Sequence, residues 1–398
     1  MTGDAVATGE PRPRTLRAVF DSRHNGLSTI RLVFASSVIL WHSFPLTGHE
    51  IGSEPLRQVV GNFRADGFFA ISGFLILASW ERRPNVAGYV RARLLRILPA
   101  YWFNLLVVAF AIAPLALWLG GEKVGMLFSG PHSSWRYVLA NLTTQIGFYD
   151  IAATPTGVPY PGAWNGSVWT LQWEMVAYAG LLVLGVLRLT RHRWVLLTMA
   201  CALWGVVLLS AVDVVDPGAY RLGGIRFALM FLTGTCLYAF TDRIPMRGWL
   251  AAVSAMGVAF AGYLPDYRLV GAPALSYLIF WIASRLRHPR WHRRTDLSFG
   301  LFLFGFPVQQ TLLVIGWPWL DPALFFVVSW LATAPFALLC WFAVERPGMN
   351  WKRRLDRSAR RRQAERASIR RGPAPETEPS PSGQGAVPVN LVPGSPAR

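Results

Sequence analysis

Residues Ile30–Phe44 read IRLVFASSVILWHSF. The stretch is apolar enough to enter a bilayer, yet Arg31 stands near one end and His42 inside it. Eleven helical positions of about 100° each bring the chain back to within about 20° of its starting direction. Arg31 and His42 therefore share one stripe of a helix, about 16 Å apart along its axis. That offset is about half the thickness of a bilayer's hydrocarbon core. A charged or titratable group at such depth is expensive and faces a protein interior or an aqueous cavity. The plainer alternative is that Arg31 snorkels to lipid phosphates and His42 only packs.

The surrounding chain has the same character. Of its 398 residues, 53% are hydrophobic, and mean hydropathy is +0.34. Ten apolar stretches long enough to be membrane helices fall at 28–46, 63–80, 97–119, 168–187, 194–212, 222–241, 248–264, 269–285, 297–317 and 320–344. The expected fold is an all-α, polytopic integral membrane protein of about ten transmembrane helices. With the N-terminus inside, 31 of the 39 Lys and Arg lie in cytoplasmic segments. This positive-inside bias puts both termini in the cytoplasm. It also explains the formal charge of +18 without nucleic acid.

The first 25 residues lack an apolar core and do not read as a cleavable signal. The expected organisation is a disordered basic arm over 1–25 and a membrane domain over 26–349. A basic juxtamembrane segment over 350–371 and a disordered Pro/Ser/Gly-rich tail over 372–398 follow. Cys201, Cys236 and Cys340 all fall in the apolar stretches and have no metal-ligand spacing, so no metal is expected. The long segment 120–167 is expected to form an outer lid or acceptor surface. Within it, Tyr137–Tyr149 reads as an interfacial or re-entrant helix.

Further polar residues gather near the two ends of the Arg31–His42 line. Arg64, Asp66, Glu174 and Arg226 belong to the outer half of the membrane by topology. Glu174 is expected to orient His42 or to bind acceptor hydroxyls. Asp66 is a candidate for the acceptor surface, or it pairs with Arg64 or Arg226. On the inner side, RARLLRILPAYW supplies Arg91, Arg93 and Arg96, and VERPG supplies Glu345 and Arg346. Guanidinium groups at a membrane mouth satisfy the positive-inside rule and equally suit a phosphorylated cytosolic ligand.

In this order the motifs resemble those of the acyltransferase-3 family of integral-membrane O-acyltransferases. Arg31 and His42 resemble its arginine–ten residues–histidine signature, and GFFAISGFLI (Gly67–Ile76) its second-helix motif. RARLLRILPAYW resembles its basic, Pro-containing entry to the third helix. NGSVWTLQWEMVAY, DLSFGLFLFGFPV and VERPG resemble its later motifs, so the resemblance spans residues 26–348. Departures are Phe299 and Phe302, where tyrosines are common, and Gly305, where many members carry a histidine.

The resemblance implies acyl transfer from a cytosolic acyl-CoA, expected to be acetyl-CoA, to a hydroxyl of a carbohydrate, either a cell-surface polysaccharide or a lipid-linked sugar, with a small secreted glycoside as the alternative acceptor. His42 is then the expected general base, with an acyl-histidine intermediate left open. Arg31, Arg93 and Arg96 are the expected CoA-binding residues. Asp66, Trp164, Asn165 and Trp169 are expected to bind the acceptor, although tryptophans are also common at membrane interfaces. The expected setting is the bacterial-type inner membrane, with membrane lipids and separate envelope polysaccharide-assembly proteins as partners. On composition alone a transporter fits as well, but the two halves show no internal repeat of the kind carriers often have.

Overall fold

The computed structural model describes residues 15–21, 25–286, 295–317, 320–351, 354, 355 and 358. Every helix below belongs to one unit, Met1–Lys352; a second unit covers Arg353–Arg398. The expected arm, basic segment and tail lie almost wholly outside the described residues.

Among those residues the fold is all-α. A short turn, α1 (Leu16–Val19), precedes α2 (Leu27–Leu46) and α3 (Glu54–Arg82). Helix α4 (Val86–Val107) passes through a π turn, Val108–Ile112, into α5 (Ala113–Leu119). After α6 (Ser134–Ala140) come α7 (Thr170–Val186), α8 (Arg193–Ala211) and α9 (Ala219–Ala239). The set closes with α10 (Gly248–Ala261), α11 (Arg268–Arg285), α12 (Ser298–Val314) and α13 (Pro322–Cys340). A second π turn, Trp341–Glu345, prolongs α13 to Trp351.

Among the described residues, six helical stretches are long and apolar enough to cross a membrane: α2, α3, α4 with α5, α8, α9 and α13 with its extension. Helices α7, α10 and α12 are apolar but shorter. Together with α11 these correspond, one for one, to the ten apolar stretches of the sequence.

Two helices begin earlier than hydropathy indicates. Helix α3 starts at Glu54, with Pro55 in its first turn, rather than near residue 63. Its first turns are polar because they bind protein: Gln58 donates to the Leu264 carbonyl at 3.0 Å, and Asn62 accepts from Arg268 at 3.0 Å. Helix α4 starts at Val86 rather than 97, capped by Asn85, whose Oδ1 accepts from the Gly88 N–H at 2.6 Å. Arg91, Arg93 and Arg96 therefore sit on a regular helix.

The expected helix over Tyr137–Tyr149 is helical only to Ala140. Asn141 then takes over the backbone, its Oδ1 accepting from the N–H groups of Gly147 and Phe148 and its Nδ2 donating to the Phe148 carbonyl. The rest of the long loop is held by side chains from the helices. Tyr101 and Trp102 donate to carbonyls of Asn141 and Leu142, and Gln310 donates to those of Tyr160 and Ala163. Of the three cysteines in apolar stretches, Cys201 is exposed on α8, while Cys236 and Cys340 are buried.

Helices α3 and α9 meet backbone to backbone. A Cβ on Gly73 would lie 1.9 Å from the Phe231 carbonyl oxygen, and one on Gly234 would lie 1.9 Å from that of Ala70. Both positions must be glycine for the two backbones to touch, the usual basis of helix association in lipid. The packing need of Gly73 thus explains part of GFFAISGFLI without chemistry.

Candidate active site

A cavity of about 250 Å³ lies among α2, α3, α4, α7, α12 and the extension of α13. Its walls divide into a charged end and an apolar interior. Arg31, Arg93, Arg96 and Glu345 line the charged end; Phe68, Phe69, Leu75, Phe299 and Phe302 are among the apolar residues. Four residues singled out from the sequence, Arg31, Arg93, Arg96 and Glu174, line this one space.

The charged end is a paired cluster. Arg31 reaches Asp296 at 3.3 Å, and Arg96 reaches Asp296 at 3.5 Å and Glu345 at 2.5 Å. Ser298 donates to Asp296 from Oγ at 2.6 Å and from its backbone at 3.2 Å. Burial pushes the Asp296 carboxyl upward, but Arg31, Arg96 and the Ser298 bonds outweigh it and hold it at about 2. The π turn brings Glu345 inward to Arg96, a common use of such turns at functional sites. Arg93 differs from its neighbours. It lies over the rings of Tyr89 and Tyr178, at 5.7 and 5.8 Å, with no carboxylate partner among the described residues.

Glu174 has both neighbours on the protein: its Oε1 accepts from Ser72 at 3.3 Å and from the Tyr178 hydroxyl. The expected bond from Glu174 to His42 is absent. His42 Nδ1 is buried and has no hydrogen-bond partner among the described residues, and the ring stands edge-on to Phe306 at 5.0 Å.

Helical spacing relates His42 to the cavity. Val38 is the last α2 residue lining it, and His42 lies four residues on, one turn further along the same face. On α12 the same step leads from Phe302, in the wall, to Phe306, against His42. Phe68 and Phe302, 6.5 Å apart, stand between the cavity and the His42 level. Gln309 fixes α12 against α2 there, donating to the Ile39 carbonyl at 2.9 Å and to Ser43 Oγ at 3.0 Å. Gly305 permits the approach, since a Cβ on it would meet Ile39 at 2.7 Å.

The proposed acceptor residues lie elsewhere and already have partners. Asp66 is fully buried; it accepts from the Tyr267 hydroxyl, and Arg268 Nε lies 2.9 Å away as an ion pair. This is neither of the partners the sequence offered, Arg64 or Arg226. Arg226 pairs with Asp266 at 2.5 Å. Trp164 is fully buried and donates its indole N–H to Thr154 at 3.0 Å. Asn165, 2% exposed, donates to Asn104 and to the Leu303 carbonyl and accepts from Ser167. Trp169 packs on Phe227, ring centroids 5.5 Å apart.

Sequence reasoning missed the pairing role of Asp296 and the partners of Asp66, which are Tyr267 and Arg268, the latter also paired with Asp266. The signal for the second was present as Asp266 and Arg268 flanking the start of an apolar helix. Asn104, Gln309 and Gln310, polar residues inside apolar helices, were equally legible as glue.

The chain has clear relatives. The sequence profile of the acyltransferase-3 family, described as an acyltransferase domain, matches residues 24–345. A nodulation protein 10 from Rhizobium leguminosarum bv. viciae is 27% identical over 282 residues, covering 63% of this chain and 72% of the relative. An O-acetyl transferase of Shigella phage Sf6 is 26% identical over 307 residues, covering 73% of this chain and 86% of the relative. No solved structure gives a significant match.

Proposed function

We infer the course of the reaction from family membership: the chain belongs to the acyltransferase-3 family and is a membrane O-acyltransferase. The donor in this reading is an acyl-CoA taken from the cytoplasm, with acetyl as the acyl group, as in the similar phage O-acetyl transferase. The acceptor is a hydroxyl of a carbohydrate, either a cell-surface polysaccharide or a lipid-linked sugar. A multi-pass protein of the inner membrane, with both termini cytoplasmic, gives donor and acceptor opposite entrances.

One observation carries this reading: a single cavity with three guanidinium groups at one end extends along α2 to within one turn of His42. Phosphates of the donor engage Arg93 first, because it has no carboxylate to displace, and Arg31 and Arg96 contribute as Asp296 and Glu345 yield. The pantetheine arm occupies the apolar interior and delivers the thioester past Phe68 and Phe302. His42 removes the proton of the acceptor hydroxyl as its oxygen bonds to the thioester carbon. The carbon–sulfur bond breaks, and the departing thiolate takes the proton back from His42, leaving the ester and free CoA. A positioned base is worth about 10² to 10⁴ in rate. Ser72, Glu174 and Tyr178 form a linked polar patch on the wall that holds the arm or the acceptor in place.

The test is mass spectrometry of surface glycans from cells making the wild type, His42→Ala or neither, at matched membrane levels. The expected result is a mass increment with the wild type only, its size giving the acyl group. An increment that survives His42→Ala rules out His42 as the base. No increment with the wild type removes the surface glycan as acceptor.

A further inference from the structure

Arg64 is a buried cation that this mechanism leaves unused. It is 8% exposed. Its guanidinium lies over the Trp41 ring at 4.7 Å and donates from one nitrogen to the Val60 carbonyl at 2.6 Å. No carboxylate pairs with it among the described residues. The nearest in sequence, Asp66, is held by Arg268 and Tyr267. A guanidinium buried without a carboxylate costs several kcal/mol in general, so it persists where something anionic is to be met.

Its position indicates what that is. Helices α2 and α3 are successive and joined by a short loop, so they run in opposite directions side by side. Ala65 and Phe68 on α3 line the cavity, and Arg64 lies immediately beyond them. His42 lies one turn beyond Val38 on α2. Trp41, the residue next to His42, carries the guanidinium on its face. The cavity thus ends at a level where one side presents a base and the other an unpaired cation.

We propose that Arg64 stabilises the oxyanion that forms on the thioester carbonyl oxygen when the acceptor attacks. This rests on the acyl-transfer reading and adds a second reacting group to it. When the hydroxyl oxygen bonds to the carbonyl carbon, the carbonyl π pair moves onto oxygen, and the guanidinium N–H groups receive that charge. As the carbonyl re-forms, the pair returns and the carbon–sulfur bond breaks. Donors aimed at a developing oxyanion are worth about 10² to 10³ in turnover. In a water-poor membrane interior a full cation serves the same end.

The experiment uses full-length protein in lipid nanodiscs, acetyl-CoA as donor and, as acceptor, surface glycan extracted from cells lacking the protein. Initial rates of free-thiol release are measured against acetyl-CoA and against glycan for the wild type, Arg64→Gln and Arg64→Lys. The expected result is a fall in kcat of about 10² to 10³ for Arg64→Gln, with both KM values within a few-fold of wild type. Arg64→Lys, which keeps the charge, recovers a large part of the rate. Thermal unfolding of each variant separates this from a packing effect, because a structural role would lower Tm and kcat together in both. A wild-type kcat in Arg64→Gln overturns the proposal. So does a loss confined to the KM for glycan, which would make Arg64 an acceptor-binding group. A silent wild type overturns the reading of acetyl-CoA and surface glycan as the substrate pair, and this proposal, which is stated for that reaction, with it.

Discussion

At the residue scale, Arg31, Arg93 and Arg96 share a motif and a mouth but differ in what already neutralises them. Arg31 and Arg96 share Asp296, and Arg96 also holds Glu345, whereas Arg93 lies between two tyrosine rings. Arg93→Ala is therefore expected to weaken acetyl-CoA binding with little loss of fold. A charged hydrogen bond is worth about 1.5–3 kcal/mol, roughly 10- to 100-fold in Kd. Calorimetric titration of the nanodisc protein with acetyl-CoA measures it, and an unchanged Kd would remove Arg93 from the donor site. Asp296 makes a prediction about acid. Its folded carboxyl titrates at about 2 against an ordinary 3.8. A lowered value stabilises the fold above the ordinary value, and the gain is lost as pH falls through about 2. Asp296→Asn should lower Tm at neutral pH and flatten the Tm–pH curve below pH ~4. A Tm–pH curve that matches the wild type would show that the pairing contributes nothing.

At the scale of elements, the α3–α9 seam depends on backbone contact rather than on side chains. Gly234→Leu puts its Cβ into the Ala70 carbonyl and should force the helices apart. Overpacking of this kind costs about 1–3 kcal/mol or more. Tm in detergent should fall by several degrees, while Gly180→Leu on α7, where a Cβ meets open space, should leave it unchanged. Equal behaviour of the two would refute the close-contact account. The displacement should also reach the cavity, since α3 supplies Phe68, Phe69 and Ser72 to its wall. The long loop behaves as an element too. Expected from its length and Pro/Gly content to be a lid or acceptor surface, it is tied to α4 and α12 by Tyr101, Trp102 and Gln310. Trp164 and Asn165 belong to that fastening.

At the scale of the whole molecule, two charge clusters join distant parts of the chain. One links α2, α4, α12 and the end of α13 through Asp296 and Glu345. The other links α3, α9 and α11 through Asp66, Asp266 and Arg268. Removing one partner of a buried pair costs about 3–5 kcal/mol, because the other charge is stranded. Arg268→Leu should therefore unfold the protein at markedly lower temperature, and Arg268→Leu with Asp66→Leu should restore part of the loss. A double variant no better than the single one would mean that Asp66 is not the partner that matters. The sequence by itself determined the class of the molecule and the line from Arg31 to His42. Both follow from local rules: apolar length for a membrane helix, and the pitch and rise that put two residues eleven apart on one stripe. Only the tertiary structure decided which charges face each other. Asp66 meets Arg268 rather than Arg64 or Arg226, and Arg31 meets a carboxylate 265 residues away. The physical reason is that partners across helices depend on the rotation and register at which whole helices pack. Those are set by close contacts such as Gly73 with Phe231, which no local stretch of sequence encodes.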